Sequence, residues 1–360
     1  YPSCAKLACV QRSGDVIGIN RISKSFGTFE ALSEFSLDVK QGEFITLLGP
    51  SGCGKTTLLK IISGFLAPTT GTISINGEDV TNVPAESRDT ALCFQSYALF
   101  PHLSVLENLE FGLKQKKIQR DERNKRVEDV ATKLGLNVQL DKLPNQLSGG
   151  QQQRVSLGRA LVMRPSIILF DEPLSNLDAK LRDQVRVEIR RIQQDYGLTS
   201  IYVTHDQSEA LAMSDRIAVL NSGKIVQVDT PEQLYASPRT RFVADFIGGA
   251  NLMTGRIVEQ NASGNASIET SLGPMQANKG AADFGSEVSL SWRPERAQVG
   301  AGPYMGKIVH RAFQGQFTDL LVEGNDLSFR IQTSDDIYRV GDTIQFSLNH
   351  DDVVLLEDEA

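Results

Sequence analysis

The chain has no long hydrophobic run. Its longest apolar stretches, near Ile167-Ile168-Leu169-Phe170 and Ile217-Ala218-Val219-Leu220, fall far short of the roughly 18 residues that a bilayer-spanning helix needs. No segment is suited to crossing a membrane as a helix. Cysteine is scarce: the four present, Cys4, Cys9, Cys53 and Cys93, show no framework spacing, which excludes a disulfide-stapled scaffold and points to a reducing compartment. Histidine is too sparse and too scattered for a zinc site. An excess of positive charge is also missing. Lys and Arg total 37 against 44 Asp and Glu, and a net charge of −7 argues against a general nucleic-acid binder. What remains is a chain of 360 residues, long enough for two domains that bury well over half of their unfolded surface.

The densest local signal is Gly49-Pro50-Ser51-Gly52-Cys53-Gly54-Lys55-Thr56, which satisfies the G-x-x-x-x-G-K-[ST] phosphate-loop pattern. It follows the apolar run Phe44-Ile45-Thr46-Leu47-Leu48 and precedes the helix-like Thr57-Leu58-Leu59-Lys60-Ile61-Ile62, so it sits at the strand-to-helix turn the motif requires. Glycines let the backbone approach a ligand closely, and consecutive N–H groups at a helix start favour anionic oxygens. Lys55 can reach β- and γ-phosphates, and the Thr56 hydroxyl can ligate Mg²⁺. A disulfide through Cys53 would obstruct that loop.

Such a loop alone says only that a nucleotide binds. Downstream, Ile167-Ile168-Leu169-Phe170-Asp171-Glu172-Pro173 reads as a buried parallel strand delivering two acids to its C-terminal edge. Asp171 is placed to hold Mg²⁺ and Glu172 to polarise a water. Between these motifs lies Leu147-Ser148-Gly149-Gly150-Gln151-Gln152-Gln153-Arg154, followed by apolar residues at helical spacing. A Ser-Gly-Gly opening a helix is a second anion-directed helix start.

Taken together, the phosphate loop, the acid strand and the Ser148 to Arg154 segment resemble the ATP-binding cassette ATPases. The resemblance implies an α/β P-loop NTPase fold with a RecA-like core, an antiparallel β subdomain and a helical subdomain. It also carries further residues. Phe26 matches the aromatic that stacks on adenine, where the family more often has Tyr. Gln95 matches the glutamine that senses Mg²⁺ and begins the segment contacting a membrane subunit. Asp178, in Leu174-Ser175-Asn176-Leu177-Asp178-Ala179-Lys180, matches the acid that couples two active sites across a dimer, and Asn176 stands where Ala is common. His205, in Val203-Thr204-His205-Asp206-Gln207-Ser208-Glu209-Ala210, matches the switch histidine at the γ-phosphate.

The implied mechanism is in-line attack of water on the γ-phosphate of ATP, with Glu172 as base and Lys55, Mg²⁺ and His205 stabilising charge. The implied nucleotide contacts are Phe26, Gly49, Pro50, Ser51, Gly52, Cys53, Gly54, Lys55, Thr56, Thr57, Gln95, Ser148, Gly149, Gly150, Gln151 and Asp178, with Thr56, Gln95 and Asp171 at the metal. Spacing leaves a site within one subunit open. The resemblance implies instead that Ser148 and Lys55 of two different subunits share one ATP.

Organisation follows from composition. Residues 1–16 do not fit the cassette pattern, lack a signal-like apolar core and read as a tail. Residues 17–247 form the ATPase domain, opening on the alternating strands Gly18 to Ile22 and Phe35 to Val39, with a helical subdomain at about 100–160. The basic cluster Lys114 to Arg126 reads as a solvated helix face, and Asp178 to Gln194 as an amphipathic helix ended near Gly197. Residues 248–285 read as a linker and first β segments, with 261–285 loop-like. Residues 286–360 read as a small all-β domain. Its Trp292-Arg293-Pro294-Glu295 and Phe313 to Thr318 segments resemble the oligonucleotide/oligosaccharide-fold (OB-like, TOBE) accessory domain of solute importers, with a regulatory or dimer-stabilising role.

The branch implied is the energising ATPase of a bacterial importer of polyamine, ferric iron or phosphonate, with sugars as the alternative solute. It would work as a homodimer on the cytoplasmic face of the cell (inner) membrane, with two permease subunits and an external solute-binding protein. A competing reading is a soluble cassette ATPase acting on nucleic acid or ribosomes, for which paired cassettes or a coiled-coil insertion are expected. The chain has one cassette and no such heptads.

Overall fold

The computed structural model describes residues 15–260, 265–278 and 284–357. Most of the expected tail, Cys4, Cys9 and the last three residues lie outside that set. By contact the chain divides between Pro231 and Glu232.

The first unit opens with β1 (Asp15–Phe26), β2 (Phe29–Lys40) and β3 (Phe44–Leu48), followed by α1 (Lys55–Ile62), β4 (Thr70–Ile75), β5 (Glu78–Asp79) and β6 (Thr90–Cys93). Three helices come next, α2 (Val105–Gln115), α3 (Arg120–Lys133) and α4 (Gly149–Leu161). The unit closes with β7 (Ile167–Asp171), α5 (Ala179–Tyr196), β8 (Thr199–Thr204), α6 (Gln207–Met213), β9 (Arg216–Asn221) and β10 (Lys224–Asp229). β1 begins two residues before the expected domain start, because Val16 is in the core and its carbonyl accepts from the Asn76 N–H.

Two sheets result. The antiparallel one runs β2-β1-β4-β5, and the other runs β10-β9-β3-β8-β7-β6, parallel except for the β10 edge. β3 and β8 are buried at every position, as the continuous apolar runs of a covered parallel strand require. α1 buries Leu58, Leu59, Ile61 and Ile62 in a core shared by both sheets. A separate core joins α2, α3 and α4 to the opposite side, including Phe170, Leu174 and Tyr202. The amphipathic α5 buries Val185, Ile189 and Ile192 and ends at Gly197 in the left-handed region, φ 60°.

The C-terminus of α1 is closed by a distant side chain. Arg88 is 5 % exposed and donates to the carbonyls of Ile61 (2.7 Å), Ile62 (2.7 Å), Val83 (2.7 Å) and Thr81 (3.1 Å). Burial lowers its pKa, yet a cation at a helix C-terminus faces the negative end of the dipole. Gly64 makes the approach possible, since a Cβ there would stand 2.7 Å from Arg88 Nε. The basic cluster differs from the expected single solvated face. It spans the end of α2 and the start of α3, and Glu110 bridges them by pairing with both Lys114 (2.6 Å) and Arg123 (2.9 Å).

The second unit is two antiparallel sheets after two short helices, α7 (Pro231–Ala236) and α8 (Arg241–Phe246). One sheet contains β11 (Asn251–Gln260), β12 (Asn265–Thr270), β13 (Gly273–Asn278) and β14 (Glu287–Trp292), closed by the last strand, Val354–Leu356. The other contains β15 (Gln298–Phe313), β16 (Thr318–Gly324), β17 (Leu327–Thr333) and β18 (Thr343–Ser347). Their shared core holds Trp292, Phe329 and Phe346 in mutual ring contact. The loop expected over 261–285 is largely a hairpin, with Ile268, Met275 and Ala277 fully buried. Arg293 is buried and donates to the carbonyls of Tyr235, Ala244 and Ile247, so it fastens α7 and α8 to the β14 end.

Candidate functional site

The candidate site lies where β3, β7 and β8, adjacent and parallel, present their C-terminal ends. That edge is where open α/β sheets bind ligands. The Gly49 to Thr56 loop leaves β3 there and turns into α1 through Gly52 (φ 82°) and Gly54 (φ 99°). Gly49 has no room for a side chain, because a Cβ would lie 2.4 Å from the Leu220 carbonyl oxygen. Lys55, 5 % exposed, folds over its own loop and donates to the carbonyls of Gly49 (2.7 Å) and Pro50 (2.9 Å). The cation is thus fixed inside the loop, with the Cys53 sulfur 3.7 Å away.

Thr56 Oγ1 donates to Asp171 Oδ1 across 3.3 Å, joining the loop to the end of β7. Burial raises the Asp171 pKa, the Thr56 hydrogen bond opposes that, and the neighbouring Glu172 charge adds to it. Glu172 sits at φ 44°, a left-handed conformation uncommon outside glycine, and its N–H donates to the Val203 carbonyl at 3.0 Å. Its Oε2 lies 3.2 Å from His205 Nδ1. A strained backbone thereby aims one carboxylate at the histidine that follows β8.

Gln95, beyond β6, reaches the same edge. Its Nε2 donates to Ser175 Oγ (3.1 Å), and Ser175 Oγ donates to the Glu172 carbonyl (2.9 Å). Asn176 Nδ2 donates to the Gln95 carbonyl at 3.1 Å, a bond that Ala could not make.

The Ser148 group stands apart. Ser148 caps α4 by accepting from the Gln151 N–H (3.4 Å), and Gln151 returns the bond to the Ser148 N–H (3.0 Å). Gly149 and Gly150 pack on Leu177 and Leu181, so the start of α4 rests on the loop that carries Asp178. Asp178 in turn caps α5 through the Leu181 N–H at 3.0 Å. Among the described residues no hydrogen bond joins Ser148, Gly149, Gly150 or Gln151 to Lys55, Thr56, Asp171, Glu172 or His205. Phe26 ends β1 opposite Phe29, half exposed, and Phe29 is about 7 Å of strand from Ala31, whose carbonyl abuts Gly54.

Residues 32–175 match the family model described as ABC transporter, and residues 290–356 the one described as TOBE domain. The spermidine/putrescine import ATP-binding protein PotA of Thermobifida fusca is 42 % identical over 353 residues, covering 95 % of this chain and 88 % of its own. The Fe(3+) ions import ATP-binding protein FbpC of Agrobacterium fabrum is 44 % identical over 316 residues, covering 87 % and 88 %. The chain belongs to the ABC transporter family.

The solved bacterial ABC transporter cassette MJ0796, a dimer, aligns with TM-score 0.53 at 32 % identity, covering 60 % of this chain and 98 % of its own. A post-hydrolysis state of the same cassette holds ADP and Pi. As a member of the ABC family the chain is an ATP-binding ATPase with a C-terminal all-β TOBE region. Its sequence motifs name the principal polar residues at the sheet edge. They miss Arg182 and Glu209, which lie inside the quoted segments but whose contacts depend on how α5 and α6 meet.

Proposed function

We propose that this ATPase energises a binding-protein-dependent bacterial importer whose solute is a polyamine or ferric iron. It acts as a homodimer, peripheral to the cytoplasmic face of the membrane, beneath two permease subunits. Relatives named for polyamine and iron import span nearly the whole chain, and this supports the reading. No helix among the described residues is long and apolar enough to cross a membrane.

The observation that carries the catalytic assignment is the Thr56–Asp171 and Glu172–His205 pairing on one sheet edge beside Lys55. In that arrangement the loop N–H groups and Lys55 hold the β- and γ-phosphates. Glu172 accepts the proton of the attacking water while the γ-phosphorus to bridging-oxygen bond breaks, and His205 bonds a γ-oxygen. The hydroxyl and carboxylate oxygens of Thr56 and Asp171 suit Mg²⁺ and would hold it, and the ion would there neutralise phosphate charge. Among the described residues no group of three or more His, Cys, Asp or Glu competes as a metal centre. Phe26 stacks on the adenine, and Ser148 to Gln151 with Asp178 serve the nucleotide of the opposite subunit.

Purification of the chain from its native membrane, followed by ATPase assay with solute-loaded binding proteins, tests this. Co-purifying permeases and stimulation by a polyamine- or iron-loaded binding protein are expected. Stimulation by a sugar-loaded protein would replace the solute, and recovery with ribosomes or DNA alone would overturn the importer.

A further inference from the structure

Arg182 lies one turn into α5, behind the site, and its guanidinium touches two different loops. Nη2 donates to the Leu177 carbonyl at 3.1 Å, one residue before Asp178. Nη1 bonds Asp206 Oδ2 at 3.4 Å, one residue after His205. Among the described residues Nε is buried without a hydrogen-bond partner, 4.0 Å from Glu209 Oε1. Glu209, 3 % exposed, accepts from Tyr202 OH (2.9 Å) and Thr204 Oγ1 (2.8 Å), and Thr204 Oγ1 accepts the Asp206 N–H (3.0 Å). Both sequence neighbours of His205 are therefore held in the network that Arg182 enters.

Neither helix needs Arg182 for its own start. Asp178 caps α5, and Asp206 Oδ1 caps α6 through the N–H groups of Ser208 (2.8 Å) and Glu209 (3.2 Å). The guanidinium spans the gap between them, and its planar fork suits simultaneous contact with a carboxylate and a carbonyl. We propose that Arg182 is a positioning residue that ties the His205 loop to the Asp178 loop, so that the two enter catalytic register together. The proposal rests on the roles assigned above to His205 and Asp178.

The test compares Arg182→Gln, Asp206→Asn, their double variant and His205→Ala in the full chain, by ATP turnover, KM for ATP and thermal melting. Asn remains a good N-cap, so Asp206→Asn removes the charge and keeps the start of α6. Each single variant is expected to lose about 10- to 100-fold in kcat, the range for displaced catalytic geometry, with KM within about twofold. The double variant is expected to be no worse than the less active single, because Arg182→Gln already removes the ion pair that Asp206→Asn removes. Parental kcat in Arg182→Gln or Asp206→Asn, additive losses, or a loss seen in KM alone would overturn the role of Arg182. Parental turnover in His205→Ala would instead overturn the site assignment. If Arg182→Gln does not fold, kcat of Asp206→Asn decides alone.

Discussion

Replacing Arg88 by Leu should destabilise the ATP-binding unit strongly without touching a phosphate contact. Four carbonyls lose a charged donor: Ile61, Ile62, Val83 and Thr81. The Ile61 carbonyl retains the Gly64 N–H at 3.2 Å, which leaves the other three to find new partners. An orphaned buried acceptor costs about 1–3 kcal/mol, and taking the lower figure for each gives about 3 kcal/mol. A Leu side chain adds apolar burial but no donor, and the buried end of α1 is left with an uncompensated dipole. For a unit of this size about 3 kcal/mol corresponds to a fall in Tm of roughly 6–12 °C. Scanning calorimetry of the full chain, read on the transition that ATP shifts upward, isolates this unit from the β unit. A fall of less than about 2 °C would refute the reasoning, because it would mean those carbonyls are satisfied without the guanidinium. Arg88→Lys, with a point charge in place of a fork, should fall between.

Three further outcomes follow from the site. Glu172→Gln should retain ATP binding and trap a dimer while turnover is lost; normal hydrolysis would remove Glu172 as the base. Phe26→Ala should weaken ATP by about 1–3 kcal/mol, the value of base–aromatic stacking, and equilibrium binding at unchanged affinity would place adenine elsewhere. Asp171→Asn should lose Mg²⁺-dependent turnover yet melt higher than the parent without nucleotide at neutral pH. The Asp171 pKa is raised chiefly by burial, so its contribution to stability is present at acid pH and is lost as pH rises through the folded value. The gain in Asp171→Asn should therefore shrink as pH falls, and melts at pH 4 and pH 7.5 compare the two regimes.

Much of this fold was legible because its central strands are short apolar runs ending in punctuated turns. Phe44 to Leu48 could be read as the strand before the phosphate loop and Ile167 to Phe170 as a buried parallel strand, and both lie buried in the parallel sheet. Val185, Ile189 and Ile192 marked one face of α5 by periodicity, and Gly197 its end. The hairpin of β12 and β13 was hidden because Ser and Asn favour turns locally and Ala is depleted in strands. It forms because Ala266, Ala277 and Ile268 fill a tightly packed core, with Gly255 vacating the space that Ile268 occupies. At the site, residue types and the order of motifs picked out side chains that meet at one sheet edge. Contacts that depend on helix-to-helix placement, such as Arg182 with Asp206 or Arg88 with the end of α1, have no periodic or spacing signal.

The strand order has a consequence for biosynthesis. β3, which launches the phosphate loop, pairs with β8 and β9 and, among the described residues, with no strand made before Thr199. Its partners emerge on the order of 150 residues later, which at roughly 5–20 residues per second is about 8–30 s of translation. Throughout that interval the nascent chain carries a strand that is apolar but for Thr46, and an unassembled nucleotide loop. ATP cannot assist folding until β8 and β9 leave the ribosome, and a chaperone that shields residues 44–48 would act within that window.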